Sequence, residues 1–92
     1  MGIPKEIKRE HIFNALAEIE RRGFSDLEFK RHKSIKYDLL CASERYYPKL
    51  VVSLAYKYVP SSGGKEWPTS RFHGGKETNR FLKKLGFEII HK

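Results

Sequence analysis

The chain has few of the residues that most enzymes use to hold metals or attack substrates. Among 92 residues it has one cysteine, Cys41, and two aspartates, Asp26 and Asp38. A single cysteine excludes an intramolecular disulfide, and the four histidines stand apart in the sequence, so no zinc-ligand spacing is present. Cys41 falls in a predicted strand, where a buried small hydrophobe is the ordinary role.

Paired carboxylates for phosphodiester cleavage are also scarce. Residues 28–30, Glu-Phe-Lys, have the acid-x-lysine pattern of many metal-dependent nucleases, but neither aspartate lies at the usual upstream strand position. Metal-assisted cleavage needs two or more convergent carboxylates to hold the ion. We therefore predict a non-catalytic domain with no metal and no cofactor.

Long hydrophobic runs are missing as well. No stretch approaches the roughly 20 apolar residues of a membrane span. The N-terminal ten residues are polar and charged, unlike a secretory signal. We expect a cytoplasmic protein without a membrane partner.

Positive charge is what the chain has in excess. Nineteen Lys and Arg against 11 Asp and Glu give a formal charge of +8, which favours an anionic partner, nucleic acid first of all. With 39% hydrophobic and 33% charged residues, residues 1–92 are predicted to form one folded domain with a modest core.

A first helix is predicted over residues 8–22. Its apolar stripe has helical spacing and consists of Ile12, Ala15, Leu16 and Ile19. Gly23 ends it, and Phe24 is expected to pack back on Ile19. Glu18 and Arg22 should form an i,i+4 pair on the solvent face.

A hairpin follows a predicted loop at residues 24–34. Residues 35–41 suggest a strand, Ala42-Ser43 a tight turn, and residues 44–47 the return strand. Pro48 is typical of a first helical position, and apolar residues recur at helical spacing to Tyr58. The adjacent Val51 and Val52 leave a buried strand over residues 50–58 as the alternative; periodicity favours the helix.

The C-terminal third contains a surface loop, a helix and a strand. Residues 60–70 are rich in Pro, Ser and Gly and predict the loop. A helix is expected over residues 75–85, with Gly86 as its stop and Phe87 returning onto Leu82. Residues 87–91 should form a strand that joins the hairpin. The predicted fold is α+β, with three helices packed on a small, mainly antiparallel sheet made of the hairpin and the C-terminal strand.

The start of the last helix is the strongest functional signal. Gly74 and Gly75 precede Lys76, an arrangement typical of an anion seat at the positive end of a helix dipole. The glycine pair also has a plain explanation, since a turn alone can require it. The residues predicted to contact phosphates are Lys33, Lys36, Lys49, Arg71, Lys76 and Arg80.

Aromatic residues beside these cations suit stacking on a base. The predicted base contacts are Trp67, Tyr46 and Tyr47. Trp67 serves equally well as a cap on the core, and for any single lysine a solvated surface is the simpler role.

Three sequence blocks resemble the N-terminal head-type domain of McrA-like, modification-dependent HNH restriction endonucleases. The blocks lie at residues 36–39, 46–55 and 72–89, and the likeness runs over residues 3–90. The resemblance implies a DNA-recognition or accessory module of a larger nuclease whose cutting residues lie elsewhere in the same polypeptide. The family carries Tyr-Pro-Pro-Lys in the second block, whereas here Tyr47 precedes the single Pro48.

Two functional classes remain after the sequence is considered. The first is a module that binds DNA, either with or without modified bases. The alternative is a protein-interaction or assembly module of the same kind of nuclease without direct DNA contact. RNA in place of DNA is a third option, because nothing in the residues distinguishes the sugar. The oligomeric state is left open.

Overall fold

Three helices and a three-stranded sheet make up the computed structural model of the chain, which describes residues 2–23 and 36–91. This confirms the predicted α+β fold. In chain order the elements are α1 (Arg9–Arg22), β1 (Tyr37–Cys41), β2 (Glu44–Tyr46), α2 (Pro48–Ala55), α3 (Lys76–Lys84) and β3 (Glu88–His91). Short 3-10 turns lie at residues 56–58, 60–62 and 69–71.

The sheet is antiparallel with strand order β2-β1-β3. Leu39 pairs with Tyr46 on one side and with Ile89 on the other. Both the hairpin and the added C-terminal strand are therefore confirmed. Cys41 ends β1 and is only half-buried, so it packs at the margin of the core and not inside it.

The hairpin turn places two residues other than glycine in the left-handed region. Ala42 has φ 51° and Ser43 has φ 67°. Two-residue hairpin loops of this hand match the twist of the strands, but residues with a Cβ adopt the conformation at a cost.

Replacing this pair by the sequence Asn-Gly, through Ala42→Asn with Ser43→Gly, is expected to raise the free energy of unfolding by about 1 kcal/mol, because asparagine and glycine tolerate positive φ. Urea denaturation measures the change. Ala17→Gly, at an exposed position of α1, is the matched control and should lower stability by about 1 kcal/mol. An unchanged or lower midpoint in the hairpin variant contradicts the turn geometry.

α2 lies in the middle of the core. Its residues 50–55 are all buried, and it packs against α1, β1 and α3. The helix is confirmed over the alternative strand, although its predicted last turn, residues 56–58, tightens to a 3-10 turn. Burial on every side explains why Val51 and Val52 occur in it, since they pack with Leu50 and Leu54 at almost no exposure.

α3 ends as its sequence predicts. The Phe87 N–H donates to the Leu82 carbonyl at 3.1 Å and the Gly86 N–H to the Lys83 carbonyl at 3.0 Å. With Gly86 at φ 93°, these two bonds form a Schellman motif. The returning Phe87 ring packs on Phe13 of α1, with ring centroids 5.2 Å apart.

α1 ends at Gly23, whose N–H donates to the Ile19 carbonyl at 2.8 Å. Gly23 has φ 88° and ψ 149°, so the chain leaves the helix extended and does not make a left-handed turn. The predicted contact of Phe24 with Ile19 and the predicted loop at residues 24–34 lie outside the described residues.

The predicted Glu18–Arg22 pair forms at 2.8 Å, but its placement on the solvent face was wrong. Glu18 is 3% exposed, because residues 57 and 58 fold over it. Its carboxylate also accepts bonds from the Lys57 Nζ at 2.9 Å and the Tyr58 hydroxyl at 2.6 Å. Burial alone would raise the pKa of Glu18, but the hydrogen bonds from Tyr58, Lys57 and Arg22 outweigh it and lower the pKa to about 2.

Candidate nucleic-acid interface

The entrance of α3 is built by the glycine pair. Gly75 caps the helix at φ 67°. The first intrahelical bond runs from the Asn79 N–H to the Gly75 carbonyl at 2.8 Å, so the amides of residues 76–78 precede it. These amides and the helix dipole give the entrance its positive end.

A carboxylate already lies at this entrance. The Glu77 Oε1 accepts the His73 N–H at 2.8 Å, while the Thr78 hydroxyl donates to the His73 carbonyl at 2.6 Å. Glu77 therefore offsets part of the positive potential that the sequence predicted for an anion seat. The sequence already indicated this role of Glu77, because an acidic residue in the first turn of a helix commonly interacts with the helix dipole.

Two predicted cations stand beside the entrance. The Lys49 side chain reaches Gly74, where a Cβ would lie 4.0 Å from the Lys49 Cδ. Its Nζ lies 5.2 Å from the centroid of the buried Phe72 ring. Arg71 lines an open groove with Gly2, Ser70, His73 and Glu77. The fold thus brings Lys49 and Arg71 to the same end of α3.

Trp67 caps the core from the loop at residues 60–70. Its backbone N–H donates to the Ser53 carbonyl at 3.1 Å, and the Ser53 hydroxyl donates to the Trp67 carbonyl at 2.8 Å. The indole N–H donates to the Gly2 carbonyl at 3.2 Å, and the ring packs edge-on against Tyr56. These contacts explain the structural role of Trp67 as a cap on the core. The Arg71 guanidinium lies 5.5 Å from the centroid of the Trp67 ring, so a cation also lies over the ring.

A second groove lies between α3 and the start of β1. It is open, has a volume of about 520 Å³, and we call it the α3 groove. Its lining residues are Tyr37, Lys76, Asn79, Arg80, Lys83 and Lys84. Four of the six are cations, and the exposed Lys36 precedes Tyr37 at the start of β1. Of the predicted contacts, Lys76 and Arg80 line this groove, and Lys36 is next in sequence to its residue Tyr37. Lys83 and Lys84 also line it, although they were not among the predicted contacts.

The family assignment follows from a comparison of the sequence with protein-family models. The model described as "ScoMcrA-like, N-terminal head domain" matches residues 5–91. The chain belongs to this family. Comparison with curated proteins and with solved structures gave no match. The family match confirms the resemblance drawn from the three sequence blocks.

The head domain places Tyr46 where it cannot stack on a base. Its ring is 5% exposed on β2, and its hydroxyl donates to the Glu20 Oε2 at 2.8 Å. Burial and then the bond to Glu20 raise the pKa of Tyr46 well above its usual value. Tyr46 is therefore removed from the candidate base contacts. Tyr47 is half-buried as the N-cap residue of α2, and Lys33 lies outside the described residues.

Within residues 2–23 and 36–91 of the head domain, no group of three or more His, Cys, Asp or Glu residues is arranged to hold a metal ion. In the same two ranges, no helix combines the length and apolar character that crossing a membrane requires.

Proposed function

We propose that this head domain is a DNA-binding module of a restriction endonuclease, and that it grips phosphates through the basic surface around α3. The observation that carries the proposal is the α3 groove, where four cations share one open surface with an aromatic ring. Cations in such a groove track a nucleic-acid backbone, and flat side chains beside them suit an exposed base.

The proposed phosphate contacts combine both ends of this surface. Lys49, Arg71, Gly74 and Gly75 lie at the entrance of α3. Lys76 and Arg80 line the groove, and Lys36 directly precedes the groove residue Tyr37. Lys33 completes the set by its place in the sequence. Because Glu77 shares the entrance, we assign more of the binding free energy to the cationic side chains than to the helix amides.

The domain organisation that we propose follows the family. Residues 1–92 would act as a single accessory domain in the cytoplasm, serve in defence against foreign DNA, and work with a nuclease domain in the same polypeptide that carries the cutting residues. Trp67 and Tyr47 remain the proposed base contacts, for modified or unmodified DNA.

The salt dependence of binding tests this function. If six phosphates are engaged, the logarithm of the association constant should fall with the logarithm of salt at a slope of about -5. Fluorescence anisotropy with a labelled duplex, repeated with methylated and RNA duplexes, gives the slope and the preference. A slope near zero, or no binding at about 50 mM salt, rules the proposal out.

A protein-interaction module is the second candidate, and one aromatic side chain favours it. Phe13 on α1 is 44% exposed and packs on Phe87, and the Arg9 guanidinium lies 5.5 Å from the Phe13 ring centroid. An exposed aromatic beside an arginine is typical of a contact with another domain. Sedimentation of the domain alone and with a nuclease domain separates this role from DNA binding.

A further inference from the structure

Asn79, which lines the α3 groove, has a buried side-chain oxygen without a hydrogen-bond partner. Asn79 is 7% exposed, and its Oδ1 is the one buried side-chain oxygen or nitrogen among the described residues that makes no hydrogen bond. An acceptor left in this state costs stability in the free protein. Such an atom suits a site where a ligand supplies the missing donor.

The position of Asn79 is fixed by its helix. Its backbone N–H is bonded to the Gly75 carbonyl, which sets it in the first turn of α3. Lys76 and Lys83, three residues before and four after, flank it on the same side of the helix and are exposed. Because the ends of these long side chains extend into solvent, they can move when a ligand enters the groove.

The side chains of the groove suit a ligand with two kinds of chemical group. Lys76, Arg80, Lys83 and Lys84 attract anionic groups, whereas the Asn79 Oδ1 is an acceptor that lacks a hydrogen-bond donor. A nucleotide offers both, since its phosphates accept and the exocyclic amino group of its base donates. Tyr37 adds an aromatic surface in the same groove.

We propose that the α3 groove takes up an unstacked nucleobase whose exocyclic amino group donates to the Asn79 Oδ1, while the surrounding cations hold the adjacent phosphates. The inference rests on the proposed function and deepens it, because it assigns base recognition to Asn79 where the sequence assigned it to tyrosines and Trp67. It predicts a preference for adenine, cytosine or guanine over thymine, which has no exocyclic amino group.

A pair of matched oligonucleotides tests this directly. Each is a labelled single strand of abasic residues with one base at its centre, adenine in the first and unsubstituted purine in the second, so that they differ by one amino group. Fluorescence anisotropy with the 92-residue protein should give about three- to tenfold tighter binding of the adenine strand.

Asn79→Leu, which keeps the side-chain size, should bind both strands as wild type binds the purine strand. Its thermal unfolding checks the fold, and the wild-type comparison decides the matter even when this variant does not fold. Lys76→Glu with Arg80→Glu should weaken both strands by the same factor and keep their ratio.

The outcomes separate the inference from the proposed function. Equal wild-type affinity for the two strands, with binding still dependent on salt and on Lys76 and Arg80, overturns the role of Asn79 and leaves DNA binding standing. No binding of either strand, or equal binding of a polyglutamate peptide of the same charge, overturns both. A retained adenine preference in Asn79→Leu places base recognition elsewhere and also contradicts the inference.

Discussion

Reversing the charge of Lys76 and Arg80 together is expected to weaken DNA binding about 100-fold at about 0.1 M salt. Both residues line the α3 groove and both are exposed, so neither change disturbs the core. The loss of two phosphate contacts should also reduce the log-log salt slope from about -5 to about -3. Anisotropy titrations of Lys76→Glu/Arg80→Glu at several salt concentrations measure both effects.

The matched control reverses two cations that do not line the α3 groove. Arg21 is exposed in the last turn of α1, about 18 Å along the helix from Arg9, which reaches Gly86 beyond α3. Lys65 is exposed in the loop before Trp67. Each change of a cation to glutamate lowers the net charge by two, so Arg21→Glu/Lys65→Glu has the same net charge as the first variant. If both variants lose affinity equally, net charge and not the α3 groove governs binding.

Replacing Glu18 by glutamine is expected to lower the free energy of unfolding by about 3 kcal/mol at pH 7, the equivalent of its pKa depression. The glutamine cannot balance the charges of Lys57 and Arg22, whose donors converge on this buried position. A change of this size should lower the Tm by roughly 15 °C. Urea unfolding and differential scanning calorimetry measure it.

The effect should depend on pH in a defined direction. The folded pKa of Glu18, about 2, lies below its ordinary value of 4.5, so its stabilisation is full above pH 4.5 and is lost as the pH falls towards 2. The difference between wild type and Glu18→Gln should narrow to about 1 kcal/mol at pH 3. Glu10→Gln, at an exposed site in the first turn of α1, is the control and should change stability by less than about 0.5 kcal/mol. A pH-independent difference contradicts the ionic origin.

Local sequence signals predicted the ends and types of the elements. The Schellman end of α3 depends on residues within six positions, Leu82 through Phe87, so the glycine and the following aromatic sufficed. The hairpin also depends on residues that are close together in the sequence. The environment of Glu18 could not be predicted in this way, because its partners Lys57 and Tyr58 lie about 40 positions along the chain. Only the packing of α1 on the turn after α2 brings them together.

The position of Tyr46 could have been read from the hairpin itself. A two-residue turn at Ala42-Ser43 sets Leu39 opposite Tyr46, and paired residues point to the same face of a sheet. Since Leu39 is apolar and fully buried, Tyr46 had to point inward with it. The burial of Asn79 was harder to predict from the sequence. It lies three residues before the buried Leu82, and so on the same face of α3, but its side chain is polar.

The central position of β1 determines when the chain can fold during synthesis. β1 pairs with its neighbour β2 as soon as the hairpin exists, but its other edge waits for β3, from the opposite half of the chain. A lone hairpin is marginal in water, and closing so long a loop is slow. The sheet therefore completes only after residues 88–91 have left the ribosome, and until then the open edge of β1 is exposed to pairing with other nascent chains.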